Sequence, residues 1–85
     1  MSAEQSLIAY IAESWMGGNA EGLDRDLPII ELNIIDSAAI FDIVLFLQRE
    51  FGVDVPLHEV SPDNFRTIKS IAALVGRLQQ AGVAG

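Results

Sequence analysis

The chain has 85 residues, a net charge of −7 and no cysteine, and these properties exclude several classes of protein. Nucleic acids and anionic membranes bind basic surfaces, so neither is an expected partner. Without cysteine there is no disulfide and no thiolate of the protein's own. A single histidine, His58, does not make a zinc cluster, so we expect no metal site.

The length predicts a single domain over residues 1–85 with one small core. The N-terminus lacks the basic start of a signal peptide and carries Glu4 and Glu13. No apolar run reaches the length of a membrane span. We therefore expect a cytoplasmic, monomeric protein.

A first helix is predicted from Ser2 to the glycine pair Gly17-Gly18, which is typical of a helix C-terminus. Ser2 and Gln5 fit a capping box. An apolar stripe recurs at helical spacing. It consists of Leu7, Ile8, Ile11 and Trp15. We interpret Trp15 as a core anchor and not as a ligand-stacking residue, because the stripe already explains it.

A long loop follows over residues 19–36, where neither a helical nor a strand period persists. Connections of this length in small domains are usually functional or packed down by their own side chains. The candidate inward residues are Leu23, Leu27, Ile30, Leu32 and Ile35.

The central helix is predicted over residues 37–51, with Gly52 as its stop. Its core face consists of Ile40, Ile43, Val44, Leu47 and Phe51. A second apolar row, offset from the first, consists of Ala38, Phe41 and Leu45. So small a domain cannot bury both rows, so we expect this second row to face a partner.

After Gly52 the chain is predicted to be extended up to Leu57 because of Pro56. Ser61-Pro62 predicts a short helix that ends near Arg66. Thr67 is the predicted cap of a last helix, whose apolar stripe consists of Ile68, Ile71, Ala72, Leu74, Val75 and Leu78. We expect residues 81–85 to be a flexible tail. The fold class is all-α: a four-helix bundle of three longer helices and one short third helix, with a long first loop.

Ser37, taken alone, is predicted to be an ordinary N-cap, since serine often precedes an apolar helix. A hydrolase triad has little support, because His58 lies in another loop and the carboxylates are scattered. Ser37 also has advantages as a modification site, because helix N-terminal amides favour an attached phosphate. Asp36 is placed to help hold the metal ion of a modifying enzyme.

Four stretches carry a resemblance that spans nearly the whole chain. They are Leu32-Asn33-Ile34-Ile35-Asp36-Ser37, Leu47-Gln48-Arg49-Glu50-Phe51-Gly52, Val53-Asp54-Val55-Pro56 and Ile68-Lys69-Ser70-Ile71. In them the chain resembles the acyl and peptidyl carrier protein family, which shares the bundle and the long first loop. The resemblance implies that Ser37 is esterified by 4′-phosphopantetheine from coenzyme A, with the adjacent Asp36 assisting. It also implies a non-catalytic protein whose partners dock on Ala38, Phe41 and Leu45.

The chain departs from fatty-acid carriers in having Ala38 after the Asp-Ser pair and in the weakly acidic helix that follows. The segments 31–42 and 61–65 resemble stand-alone carriers of prodiginine-type antibiotic pathways. This likeness implies a prolyl cargo that is oxidised to a pyrrole-2-carboxyl thioester. The implied partners are a phosphopantetheinyl transferase, a prolyl-specific adenylating ligase, a flavin-dependent acyl dehydrogenase and a condensing enzyme.

Two other functions stay open from the sequence. Within the family, the chain is alternatively a fatty-acid, polyketide or D-alanyl carrier. Outside it, the chain is alternatively an unmodified helical interaction module.

Overall fold

The computed structural model describes the backbone of residues 2–83 and the side chains of residues 2–80. Three α-helices follow one another: α1 (Ala3–Trp15), α2 (Ser37–Phe51) and α3 (Ile68–Val83). A single 3-10 turn spans Leu57–Glu59 between α2 and α3. No strand occurs within residues 2–83. The all-α fold class is therefore confirmed.

Both ends of α1 follow from its sequence. The Ser2 side chain accepts a hydrogen bond from the Gln5 amide at 3.2 Å, and the Gln5 side chain accepts one from the Ser2 amide at 3.1 Å. This reciprocal pair confirms the predicted capping box. Beyond Met16, Gly17 and Gly18 adopt positive φ angles of 63° and 86°. The left-handed conformation is inexpensive for glycine, so the chain leaves the helix at this pair.

The core lies between α1, α2 and α3 and follows the predicted stripes. Side chains with no exposed surface come from all three helices: Leu7 and Ile11 from α1, Ile43 and Leu47 from α2, Ile68, Ile71 and Leu74 from α3. Trp15 is half-buried and packs against this core, as predicted. Val44, Phe51, Ala72 and Leu78 also pack there while keeping part of their surface in solvent.

The long loop between α1 and α2 is held by main-chain hydrogen bonds to the residues just before α3 and to the first turn of α3. The Ile29 amide donates to the Arg66 carbonyl at 2.9 Å, and the Lys69 amide donates to the Arg25 carbonyl at 2.9 Å. Leu23, Ile29 and Ile35 are buried in the core. The loop is thus a packed part of the fold that fixes the start of α2.

One inward residue of this loop was predicted wrongly. Leu32, a predicted inward residue, is 54% exposed. Ile29, which was not among the predicted inward residues, is fully buried in the core. The reason is local. The Leu32 amide bonds to the Pro28 carbonyl in a tight turn, and Asn33 then adopts a left-handed φ of 60°. The turn leaves Leu32 on its outer side, whereas Leu27 and Ile30 are half-buried against the core.

The short third helix predicted over Ser61–Arg66 is not a regular helix in the structure. Residues 62–65 form turns and residues 61, 66 and 67 are bends, and the one short helical element in this part of the chain is the 3-10 turn at Leu57–Glu59. The Ser70 hydroxyl donates to the Asn64 carbonyl at 2.9 Å, so this carbonyl is bonded to a side chain. Phe65 is fully buried and anchors the segment to the core. A count of four helices is therefore not confirmed.

The last helix begins where the sequence predicts. The Thr67 hydroxyl oxygen accepts from the Ser70 amide at 2.9 Å, and the Ser70 hydroxyl oxygen accepts from the Thr67 amide at 3.0 Å. The helix continues through Val83. It therefore includes residues 81–83 of the predicted tail, whereas residues 84–85 lie outside the described chain. The flexibility of that tail stays a prediction.

Candidate functional site

The N-terminus of α2 is capped by Asp36 and not by Ser37. Asp36 has an extended backbone, with φ −105° and ψ −179°, and its Oδ1 accepts from the Ala39 amide at 2.9 Å. Ser37 is the first residue of the helix. The prediction of Ser37 as the N-cap is therefore wrong by one position. The physical reason is that the Asp36 carboxylate, one residue earlier, is an equally good cap that also carries a negative charge toward the helix dipole.

Ser37 is exposed, and its hydroxyl forms no hydrogen bond with the backbone of residues 2–83 or with the side chains of residues 2–80. Its own amide and that of Ala38 likewise have no partner within this range. Two helix N-terminal amides and a free hydroxyl thus meet at one solvent-facing point. This arrangement suits an attached phosphate group, which the amides and the helix dipole stabilise.

The second apolar row of α2 is exposed, as predicted. Phe41 is 59% exposed and Leu45 is 57% exposed, and Ala38 also faces solvent. Ser37, Phe41 and Leu45 follow one another at intervals of four residues, so they lie on one side of the helix. The apolar surface of Phe41 and Leu45 therefore lies beside the free Ser37 hydroxyl, where a partner protein can contact it.

Two further large apolar side chains are exposed and were missed by sequence reasoning. Leu57 in the 3-10 turn is 81% exposed, and Leu32 in the long loop is 54% exposed. A signal for Leu57 is its place in Val55-Pro56-Leu57-His58, a short segment with no helical or strand period. For Leu32 no periodic signal exists, because its orientation depends on the turn at Asn33.

No hydrogen bond joins the Ser37 hydroxyl to another reactive side chain within residues 2–80. His58 is exposed in the 3-10 turn and has no hydrogen bond to Ser37 among the side chains of residues 2–80. In the same part of the chain, no three His, Asp or Glu side chains are placed to hold a metal ion. Within residues 2–83, no helix has the length and apolar character that a membrane crossing requires.

The Asp36 cap should contribute measurably to the free energy of unfolding. Replacing Asp36 by alanine removes the acceptor of the Ala39 amide and should lower the free energy of unfolding by about 1 kcal/mol. Asp36→Asn should retain most of it, since asparagine caps as well as aspartate. Urea unfolding followed by circular dichroism measures both. An Asp36→Ala protein as stable as the parent would show that the cap contributes nothing.

Comparison with known proteins gives a family for this chain. It is 49% identical to the probable acyl carrier protein PigG of Serratia sp. (strain ATCC 39006) over 76 residues, which are 89% of this chain and 87% of that protein. It is 28% identical to the D-alanyl carrier protein of Streptococcus pyogenes serotype M5 (strain Manfredo) over 81 residues, 95% of this chain and 100% of that protein. The chain matches no model of a protein family. On the extent and identity of its likeness to the Serratia protein, the chain belongs to the acyl carrier protein family.

Proposed function

We propose that this protein bears 4′-phosphopantetheine on Ser37 and tethers an acyl or aminoacyl group to the arm as a thioester. The observation that carries the proposal is the free, exposed Ser37 hydroxyl at the first residue of α2, in a chain of the acyl carrier protein family. The arm supplies a terminal thiol, which the chain itself lacks because it contains no cysteine. The chain catalyses no step of the cycle.

The residues around Ser37 fit the attachment chemistry. The Ser37 Oγ forms the new bond to phosphorus and loses its proton, while the nucleotide part of coenzyme A leaves. The unpartnered amides of Ser37 and Ala38 lie where the resulting phosphate needs donors. Asp36 uses Oδ1 for the cap, so Oδ2 stays free to approach the Mg²⁺ of a phosphopantetheinyl transferase. Asp36 therefore holds the helix end and assists modification.

The cargo we propose is a prolyl group, later a pyrrole-2-carboxyl group, in a prodiginine-type antibiotic pathway. The likeness to the Serratia carrier, at 49% identity, supports this choice over the D-alanyl carriers at 28%. The partners are then a prolyl-specific adenylating ligase, a flavin-dependent acyl dehydrogenase and a condensing enzyme, met in the cytoplasm by a monomeric carrier. A fatty-acid, polyketide or D-alanyl cargo is the alternative within the family.

Docking of these partners is assigned to the exposed row of Ala38, Phe41 and Leu45. The row lies beside Ser37 on the same helix, so a partner that covers it receives the arm directly. Each partner must also leave, which favours a small contact with a few apolar anchors. Tethering raises the effective concentration of the cargo at each enzyme in turn.

Incubation with coenzyme A, Mg²⁺ and a broad-specificity transferase tests the modification. We expect the intact mass to increase by one phosphopantetheine per chain. A chain that is never modified under these conditions, while a known carrier in the same tube is, would instead be an unmodified helical interaction module.

A further inference from the structure

A groove on the side of the molecule formed by α1 and α2 has no role in the proposed carrier cycle. Its volume is about 300 Å³, and it is mainly apolar. The lining residues are Ser6, Ala9, Tyr10 and Glu13 from α1 and Phe46 and Glu50 from α2. Phe46 lies about 140° around the helix from Phe41 and about 100° from Leu45, the two large side chains of the docking row. The groove is thus a separate surface.

Aromatic contacts fix the floor of this groove. The Tyr10 and Phe46 rings stack with centroids 4.0 Å apart and planes within 12°. Trp15 meets Tyr10 edge-on at 5.7 Å, and Phe51 meets Phe46 edge-on at 6.1 Å. The Tyr10 hydroxyl also donates to the Asp42 carbonyl at 3.4 Å, which links α1 to α2. The rings are therefore held in place before any partner arrives.

Two exposed carboxylates, one on each helix, line this aromatic floor. Neither Glu13 nor Glu50 forms an ion pair or hydrogen bond with a side chain of residues 2–80. In that range the arginines paired with carboxylates are Arg25, Arg66 and Arg77, which bond to Glu4, Glu31 and Glu59. The groove therefore presents negative charge over aromatic surface in a chain whose net charge is −7.

We propose that this groove binds an arginine side chain presented by an apolar segment of a partner protein. A guanidinium group is planar and weakly hydrated, so it packs on aromatic rings and bonds to carboxylates at the same time. The apolar walls favour apolar neighbours of the arginine, and the charge of the groove favours a basic segment. Because the groove lies away from Phe41 and Leu45, it can be occupied while another partner docks there. It does not depend on modification of Ser37.

Nuclear magnetic resonance of the isotopically labelled, unmodified protein tests this proposal. The probe is the peptide acetyl-Leu-Arg-Leu-amide, and its control is the same peptide with neutral citrulline in place of arginine. We expect the arginine peptide to shift the backbone amides of the groove residues, with the largest shifts at Tyr10, Glu13, Phe46 and Glu50. The citrulline peptide should bind about tenfold more weakly.

Matched variants separate a specific site from general attraction to an acidic protein. Glu13→Gln combined with Glu50→Gln should weaken binding of the arginine peptide about tenfold. Glu21→Gln combined with Asp63→Asn removes two exposed charges elsewhere and should leave the affinity unchanged. Equal weakening by the two pairs, or equal binding of the two peptides, would overturn the proposal. So would shifts centred on Phe41 and Leu45.

Attaching the cargo to the arm tests whether the groove holds that cargo instead of a partner's arginine. If attachment of an L-prolyl group shifts Tyr10, Glu13, Phe46 and Glu50 without peptide, and the peptide does not, the groove holds the protein's own cationic cargo. That result would also overturn the proposal. A failed transferase reaction would reject the carrier function and leave the peptide experiment unaffected.

Discussion

Ser37→Ala should abolish modification by coenzyme A and leave the fold intact. The hydroxyl is the proposed attachment point, so its removal leaves no nucleophile at the start of α2. It has no hydrogen bond with the backbone of residues 2–83 or the side chains of residues 2–80, and Asp36 provides the side-chain cap. The change in the free energy of unfolding should therefore be within about 0.5 kcal/mol. Intact mass and urea unfolding measure the two quantities on one preparation.

The matched control for this variant is Ser14→Ala, which removes another exposed helical serine. Ser14→Ala should be modified at the rate of the parent protein. If the Ser37→Ala protein still gains the mass of phosphopantetheine, the attachment point is elsewhere and the assignment of Ser37 is wrong.

Phe41→Ala and Leu45→Ala should each slow loading of the modified protein by its adenylating ligase. An apolar anchor at the centre of a small interface contributes about 2 kcal/mol, which corresponds to about a thirtyfold change in kcat/KM per anchor. Both side chains are more than half exposed, so stability should change little. Initial loading rates at low carrier concentration measure the effect, and thermal unfolding checks the fold.

Leu57→Ala is the control for this docking surface. Leu57 is more exposed than either anchor, at 81%, but lies in the 3-10 turn outside α2. Its variant should be loaded at nearly the rate of the parent. If Leu57→Ala slows loading as strongly as Phe41→Ala, the contact is not centred on the α2 row. If Phe41→Ala and Leu45→Ala are loaded at parental rates by every partner, the row is not a docking surface.

Much of the helical framework could be predicted from the sequence because its signals are local. The capping box at Ser2 and the hydroxyl of Thr67 lie next to the turns that they stabilise. Gly52 ends α2 in the left-handed conformation, with φ 68°, which glycine tolerates best. The apolar stripes place Leu7 and Ile43 in the core by spacing alone. The exposed row of α2 followed from having more apolar surface than a small core can bury.

The errors arise where distant contacts or competing local bonds decide the structure. Ile29 is buried because its amide bonds to the Arg66 carbonyl, a contact between segments far apart in sequence. Leu32 is exposed because of the turn that follows it. The segment after Ser61 has a good helix start, but its Phe65 amide is shared between the Ser61 and Pro62 carbonyls, and its Asn64 carbonyl bonds to the Ser70 hydroxyl instead of a helical amide. Asp36 and Ser37 are both good N-cap residues, so the sequence pattern does not indicate which of the two caps α2.

The groove lined by Tyr10 and Phe46 also lay beyond sequence reasoning. The two rings belong to different helices separated by the long loop. The apolar spacing within one helix does not indicate which residue of the other helix it contacts. Their stacking at 4.0 Å depends on how α1 packs against α2. Glu13 and Glu50 line one groove because of the same packing of α1 against α2.

The central claim, that this protein carries its cargo as a thioester on the arm of Ser37, is tested most directly by intact mass after loading. The unmodified and the phosphopantetheine-bearing protein are each incubated with ATP and one acid from a panel, together with its cognate ligase. The panel contains L-proline, D-alanine and a fatty acid. We predict an L-prolyl mass on the modified protein alone, released by hydroxylamine as a thioester would be. An acyl mass on the unmodified protein, or no loading of the modified protein by any acid, would contradict the claim.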